Sequence, residues 1–262
     1  REPTGAPVGR MPQSHRSTGH DGLVTSTGSR PDSEPVLFAH RGGMAHAQEN
    51  TLDAFRLAMR LGATGLESDV WPTSDGVPVL SHHGRVGPFY RRRAVTDLAA
   101  GSLPVTLPSL EDLYRAVGTG CHVSLDVMDP AVAALVVGVA SRHPGAPGRL
   151  WLCHPDWETV ASWRELDPRI RLVDSTRLER IEEGPERRAA RLAAARIDAI
   201  NLHQSDWTGG LTALFHRFGL ACLGWDAQHE RQLDHLFRIG IDGVYSDHVD
   251  RMVTCARVRR SA

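Results

Sequence analysis

The feature that most constrains this chain is its alternation. From Val36 onward, short apolar runs take turns with stretches of helical periodicity until close to the C-terminal end. After an opening run over 36–39, strand-like segments are expected at 122–127, 150–153, 170–173, 199–202, 220–225 and 243–246, with others between residues 65 and 80. On the helical side, Leu52, Phe55 and Met59 share a face, with Asn50 and Thr51 as cap candidates and Gly62 as a stop. Ser109 opens an S-x-x-D capping box ahead of Leu110, Leu113 and Val117. Asp129 and Pro130 read as a cap and an N1 proline before the stripe Val132, Leu135, Val136 and Val139. Further helices are expected after Asp156, Pro185, Gly210, His229 and Asp247. Continuous apolar strands alternating with helices demand a parallel sheet covered by helices. Roughly eight such units point to a (β/α)8 TIM barrel, a single α/β domain over 35–257. A doubly wound open sheet is the alternative, but no G-x-G-x-x-G or P-loop follows any strand. Residues 1–34, rich in Ser, Gly, Pro, Thr and His, are expected to form a disordered tail, with His15 and His20 solvated.

Charge and composition narrow the function. The formal net charge of −1 provides no basic footprint for nucleic acid. All 30 basic residues are Arg; the chain has no Lys. No apolar run approaches the ~20 residues of a transmembrane segment, and no charged-then-apolar signal peptide opens the chain, which starts at Arg1. Cys121, Cys153, Cys222 and Cys255 are scattered without a C-x-x-C pair, so buried free thiols are expected and a cytoplasmic location is favoured.

The chemistry concentrates between His40 and His82, a stretch with the residue types of a metal-assisted phosphodiesterase. Glu67 and Asp69 stand two apart, which on a strand puts both on one face. In a barrel, His40, Glu67, Asp69, His82 and Asp126 would meet at the mouth formed by the C-terminal strand ends. Three carboxylates there repel one another unless a cation lies between them, and all-oxygen ligation selects one divalent ion, Mg2+ or Ca2+. Two imidazoles supply an acid and a base, and Arg41 a forked donor for phosphate oxygens. Each residue alone has a plainer reading: an acid as a cap or ion-pair partner, a His as a satisfied core side chain. Gly42, Gly43 and the run 49–51 fit loop shaping and the helix start.

The same stretch resembles the glycerophosphodiester phosphodiesterase family in its H-R-G at His40, E-N-T at Glu49, E-x-D at Glu67, T-x-D-G at Thr73 and the His at His82. Leu107-Pro108-Ser109-Leu110-Glu111 is similar to the family's P-T-L-E, Gly240 to Asp247 to its G-V-D-G-I-x-T-D, and Trp225-Asp226-Ala227-Gln228 to its W-T-V-N. The resemblance implies a metal-dependent barrel hydrolase of small-molecule phosphodiesters, releasing glycerol 3-phosphate and an alcohol. His40 and His82 would then be the acid/base pair, Glu67, Asp69 and Asp126 the metal ligands, and Arg41 and Trp225 substrate contacts. Two alternatives stay open: a phospholipase D-like barrel that stops at a cyclic phosphate, and a degenerate barrel that only binds a phosphorylated ligand. The sequence departs from the family pattern twice. His83 stands where an Asp follows the second His, and Asp126-Val127-Met128 replaces E-x-K. Met128 is expected to face the mouth, either with Arg85 or the run 91–93 as a substitute cation or, the favoured alternative, meeting an apolar group of the substrate.

Overall fold

The computed structural model describes residues 34–260, so the expected tail, with His15 and His20, lies outside the described residues apart from Glu34. The strands are β1 (Val36–Ala39), β2 (Gly65–Pro72), β3 (Pro78–Leu80), β4 (Arg85–Val86), β5 (Arg93–Ala94), β6 (His122–Val127), β7 (Leu150–His154), β8 (Arg171–Ser175), β9 (Ala199–His203), β10 (Ala221–Trp225) and β11 (Gly243–Ser246). The helices are α1 (Leu52–Leu61), α2 (Leu110–Val117), α3 (Val132–Ser141), α4 (Trp157–Ser162), α5 (Pro185–Ala194), α6 (Gly209–Arg217), α7 (Glu230–Arg238) and α8 (Val249–Arg260). All the strands except β3, β4 and β5 pair in parallel, in the order β1-β2-β6-β7-β8-β9-β10-β11, and β11 returns to β1. This closed eight-stranded barrel is the TIM fold expected from the alternation. β3 lies antiparallel on β2, and β4 pairs with β5 as a separate hairpin.

Because strand side chains alternate, each strand serves two layers. Leu37 and Ala39 face outward into the large core beneath the helices, while Phe38 joins Trp151, Cys153, Val173, Leu223 and Tyr245 inside the barrel. Phe38 stacks on Tyr245 at 4.6 Å, and only glycine leaves room beside it. A Cβ at Gly65 would stand 2.5 Å from the Phe38 ring, and one at Gly243 would meet Leu223 at 2.8 Å. Side chains therefore fill the barrel at this level, and the open cavity lies near the strand C-termini.

Local signals set most helix ends. Thr51 Oγ1 accepts the Ala54 N–H at 3.2 Å, and Gly62 closes α1 at φ +104°. Ser109 and Asp112 form the expected capping box. Two expectations need correction. Asp129 does not cap α3, which begins at Val132; its carboxylate accepts the Ala131 N–H at 2.9 Å and shapes the preceding turn. In that helix Val132, Val136 and Val139 are buried but Leu135 is exposed. Likewise α6 starts at Gly209 with Thr208 as its cap. The four cysteines are buried free thiols. Among the described residues, no helix is long and apolar enough to cross a membrane.

Candidate active site

A cavity of about 530 Å³ opens at the C-terminal ends of the strands, and His40, Arg41, Glu67, Asp69, His82, Asp126 and Trp225 all line it. Leaving β1, the chain turns sharply, with Arg41 at φ +49°, Gly42 at +83° and Gly43 at +81°. Here the glycines are needed for space as well as conformation. A Cβ on Gly42 would lie 2.9 Å from Ala54 Cβ, and one on Gly43 2.7 Å from Val249. This turn directs the Arg41 N–H at Glu67 Oε2, 2.8 Å away. The Arg41 guanidinium donates from Nη1 to Glu49 Oε2 at 2.9 Å, while its Nε lies 3.7 Å from Asp69 Oδ2.

Glu67 and Asp69 share the inner face of β2, and Asp69 is in register with Asp126 on β6. Glu67 is 4% exposed and Asp69 6%. Burial pushes the Glu67 carboxyl up to about 8; His40 opposes this, while Asp126 and Asp69 add to it. Burial and then the charge of Asp69 push Asp126 up to about 7. Asp69 is raised too, chiefly by burial, although His82 and Arg41 pull against the shift. For His40 burial acts first and would lower the pKa. The charge of Glu67 and the hydrogen bond to Asp247 more than reverse this, and the ring is pushed up to about 9. His40 Nδ1–H donates to Asp247 Oδ1 at 2.5 Å, and its Nε2 lies 3.9 Å from Glu67 Oε2. Across the acids, His82 Nδ1 lies 3.2 Å from Asp69 Oδ2.

Buried carboxylates held this far above their ordinary range lack positive charge. As hard oxygen donors on neighbouring strands, they fit a hard divalent cation. The trio is nevertheless not drawn tight. Among the described residues, the group of possible ligand atoms lying within 4.8 Å of one another is His216, Cys222 and Asp242, at the opposite end of the strands. That group has a structural explanation: Asp242 Oδ2 accepts both the Cys222 N–H and His216 Nε2–H at 2.7 Å, tying α6 to β10.

Several residues in the cavity or directly behind it carry no assignment from the sequence. Asp247 holds His40 and is itself held by Gln228, which donates from Nε2 to Asp247 Oδ2 at 3.0 Å and accepts the Asp247 N–H at 2.9 Å. Arg177 and Arg180 line the cavity from the loop after β8, and the strand-end rule applied to 171–175 would have found them. Arg177 donates from Nε to Asp206 Oδ2 at 3.1 Å and lies 5.6 Å over the Trp225 ring. Met128 does not face the mouth: it is 44% exposed and absent from the cavity lining, because β6 ends at Val127. Arg85 and residues 91–93 also lie outside the lining; the cations facing this cavity besides Arg41 are Arg177 and Arg180.

The likeness to known proteins falls on this site and on the barrel as a whole. The sequence model of the glycerophosphoryl diester phosphodiesterase family matches residues 40–105. Glycerophosphodiester phosphodiesterase 1 of Rattus norvegicus is 53% identical over 57 residues, which are 22% of this chain and 17% of that protein, so only a small part of the relative's length is matched. The glycerophosphodiester phosphodiesterase of Bacillus altitudinis is 22% identical over 238 residues, 83% of this chain and 96% of its own length. The solved structure of an Oleispira antarctica phosphodiesterase in complex with the product sn-glycerol-3-phosphate has the same fold. Its TM-score is 0.73 at 20% identity, covering 86% of this chain and 97% of that one.

Proposed function

Since this chain belongs to the glycerophosphoryl diester phosphodiesterase family, we propose that it hydrolyses glycerophosphodiesters to glycerol 3-phosphate and an alcohol with His40 and His82 as the acid/base pair. One observation carries the reading: two imidazoles flank three carboxylates, two buried and one half-buried, inside a single cavity. A diester phosphate entering there meets the guanidinium of Arg41, with Arg177 and Arg180 on the opposite lip and Trp225 as an apolar wall. Water attacks phosphorus, and the bond to the leaving alcohol oxygen breaks. One imidazole takes the proton from water, and the other returns a proton to the departing alkoxide. Asp247 fixes the proton of His40 on Nδ1, which leaves Nε2 turned toward Glu67 and the cavity. Glu67, Asp69 and Asp126 would hold one divalent cation, Mg2+ or Ca2+. Such an ion supplies charge that neutralises these acids and polarises a phosphoryl oxygen.

The test is turnover of glycerophosphodiesters such as glycerophosphocholine and glycerophosphoethanolamine, with Mg2+ or Ca2+, followed by phosphorus NMR. Glycerol 3-phosphate and the free alcohol should accumulate, and excess chelator should stop the reaction. A cyclic phosphate as the final product would replace the hydrolase with a transferase that stops halfway. Tight binding without turnover under either ion would leave only a phosphate-binding barrel.

A further inference from the structure

The hairpin of β4 and β5 follows His82 by only three residues, and it is built unlike the rest of the surface. Its base is fixed. Gly84 sits against Trp71, where a Cβ would stand 2.5 Å from the indole. Val95 is fully buried and donates its N–H to Gly84 O at 2.9 Å. Beyond this anchored stem the tip stands out in solvent, with Phe89 87% and Tyr90 81% exposed. Val105, 89% exposed, belongs to a neighbouring loop whose Pro104 and Thr106 share a groove with Val86, Gly87 and His82. Three apolar side chains therefore stand exposed on two neighbouring loops beside His82, at one side of the active-site mouth.

Charge is gathered at the same edge. Arg85, Arg91, Arg92 and Arg93 are exposed, and none of them forms an ion pair among the described residues. Arg92 lies 5.6 Å over the Phe89 ring. Across residues 84–106 the one carboxylate is Asp97, in a chain whose formal net charge is only −1. Aromatic rings on a hairpin anchored at its base and ringed by guanidinium groups match an anionic bilayer. The rings suit the headgroup–acyl boundary, and the arginines suit the phosphates above it. A nucleic acid fits less well, because a strand needs a charged track, and past the hairpin the cavity presents Glu67, Asp69 and Asp126.

We infer that the β4–β5 hairpin and the Val105 loop dock the mouth of the barrel onto an anionic lipid surface. The occupant is the bilayer itself, contacted by Phe89, Tyr90 and Val105 and held by Arg85 and Arg91 to Arg93. In this pose the cavity faces the layer of phosphodiester headgroups.

Co-sedimentation with vesicles tests the inference directly. The protein should pellet with phosphatidylcholine vesicles that contain phosphatidylglycerol and stay in solution with phosphatidylcholine alone. The triple change Arg91→Ser, Arg92→Ser, Arg93→Ser should weaken partitioning on the order of a hundredfold. The double change Phe89→Ser, Tyr90→Ser should weaken it about tenfold or more. Both variants should keep the wild-type melting temperature, since the altered side chains are exposed, and this separates lost docking from lost folding. Absence of binding to the anionic vesicles would overturn the inference, as would undiminished binding by both variants. So would tighter binding of a single-stranded oligonucleotide than of vesicles, or a dimer that the aromatic variant dissolves while vesicles go unbound.

Discussion

His40 stands between two carboxylates with different duties: Glu67 lies toward the cavity, and Asp247 grips the far nitrogen. Replacing Asp247 by Asn removes the charge that raises the His40 pKa and leaves a weaker, neutral acceptor for its Nδ1–H. The alkaline limb of the pH–rate profile should therefore move to lower pH, and kcat should fall on the order of 10²-fold. A profile superimposable on wild type would show that Asp247 does not govern the ring. By the same reasoning, His40→Ala and His82→Ala should each lower kcat by on the order of 10²-fold or more with unchanged folding, and a fully active His82→Ala enzyme would remove it from the proton relay. Sequence singled out His40, Glu67, Asp69, His82 and Asp126 as candidates because each closes or follows an apolar run, and the structure gathers all five in one cavity. The sequence was silent on Asp247 as a partner of His40, since their link spans 207 positions and exists only once β11 lies beside β1. Met128 misled for a related reason. Strand alternation places it with Asp126 only if the strand continues, and β6 stops one residue earlier.

The elements that carry Arg177 and Arg180 depend on an ion pair behind the cavity. Asp174, on β8, is fully buried, and burial pushes its carboxyl up to about 6 even though Arg188 pulls it down. Arg188, on α5, donates from Nη1 to Asp174 Oδ2 at 2.9 Å and from Nε to Glu183 Oε1 at 2.8 Å. Arg188→Met would leave the Asp174 carboxylate buried without its partner, and should destabilise the fold by about 3 kcal/mol in chemical unfolding. A loss within experimental error would mean that water reaches Asp174 once the guanidinium is gone. Elements were the most legible level of the sequence. The strand over 122–127 was read to its ends, and caps at Thr51, Ser109 and Asp156 mark helices that the structure contains. The hairpin of β4 and β5 escaped because strands of two residues have no period to read.

At the scale of the whole molecule, the barrel stores acid it cannot comfortably ionise. The carboxyls of Glu67, raised to about 8, and Asp126, raised to about 7, favour the protonated form in the folded state. Their contribution to stability is complete below the ordinary carboxylate range near pH 4 and is lost as pH rises through those folded values. His40, pushed up to about 9, acts in the same direction: its contribution is complete below about 6.5 and disappears as pH passes 9. Acids held low by hydrogen bonds to arginine, such as Glu111 and Asp167, lose their contribution only at still lower pH and do not oppose this trend. In excess chelator the melting temperature should therefore fall between about pH 5.5 and 8.5. A divalent ion seated among Glu67, Asp69 and Asp126 should restore stability mainly at the alkaline end, where the acids are ionised and bind it best. Glu67→Gln should flatten both effects, because a neutral amide neither titrates nor offers the ion a charge. Thermal melts across pH, with chelator, Mg2+ or Ca2+, measure all three. If the chelated protein is as stable at the alkaline end as at the acid end, and neither ion raises its melting temperature, these acids are balanced by charge within the barrel and hold no cation.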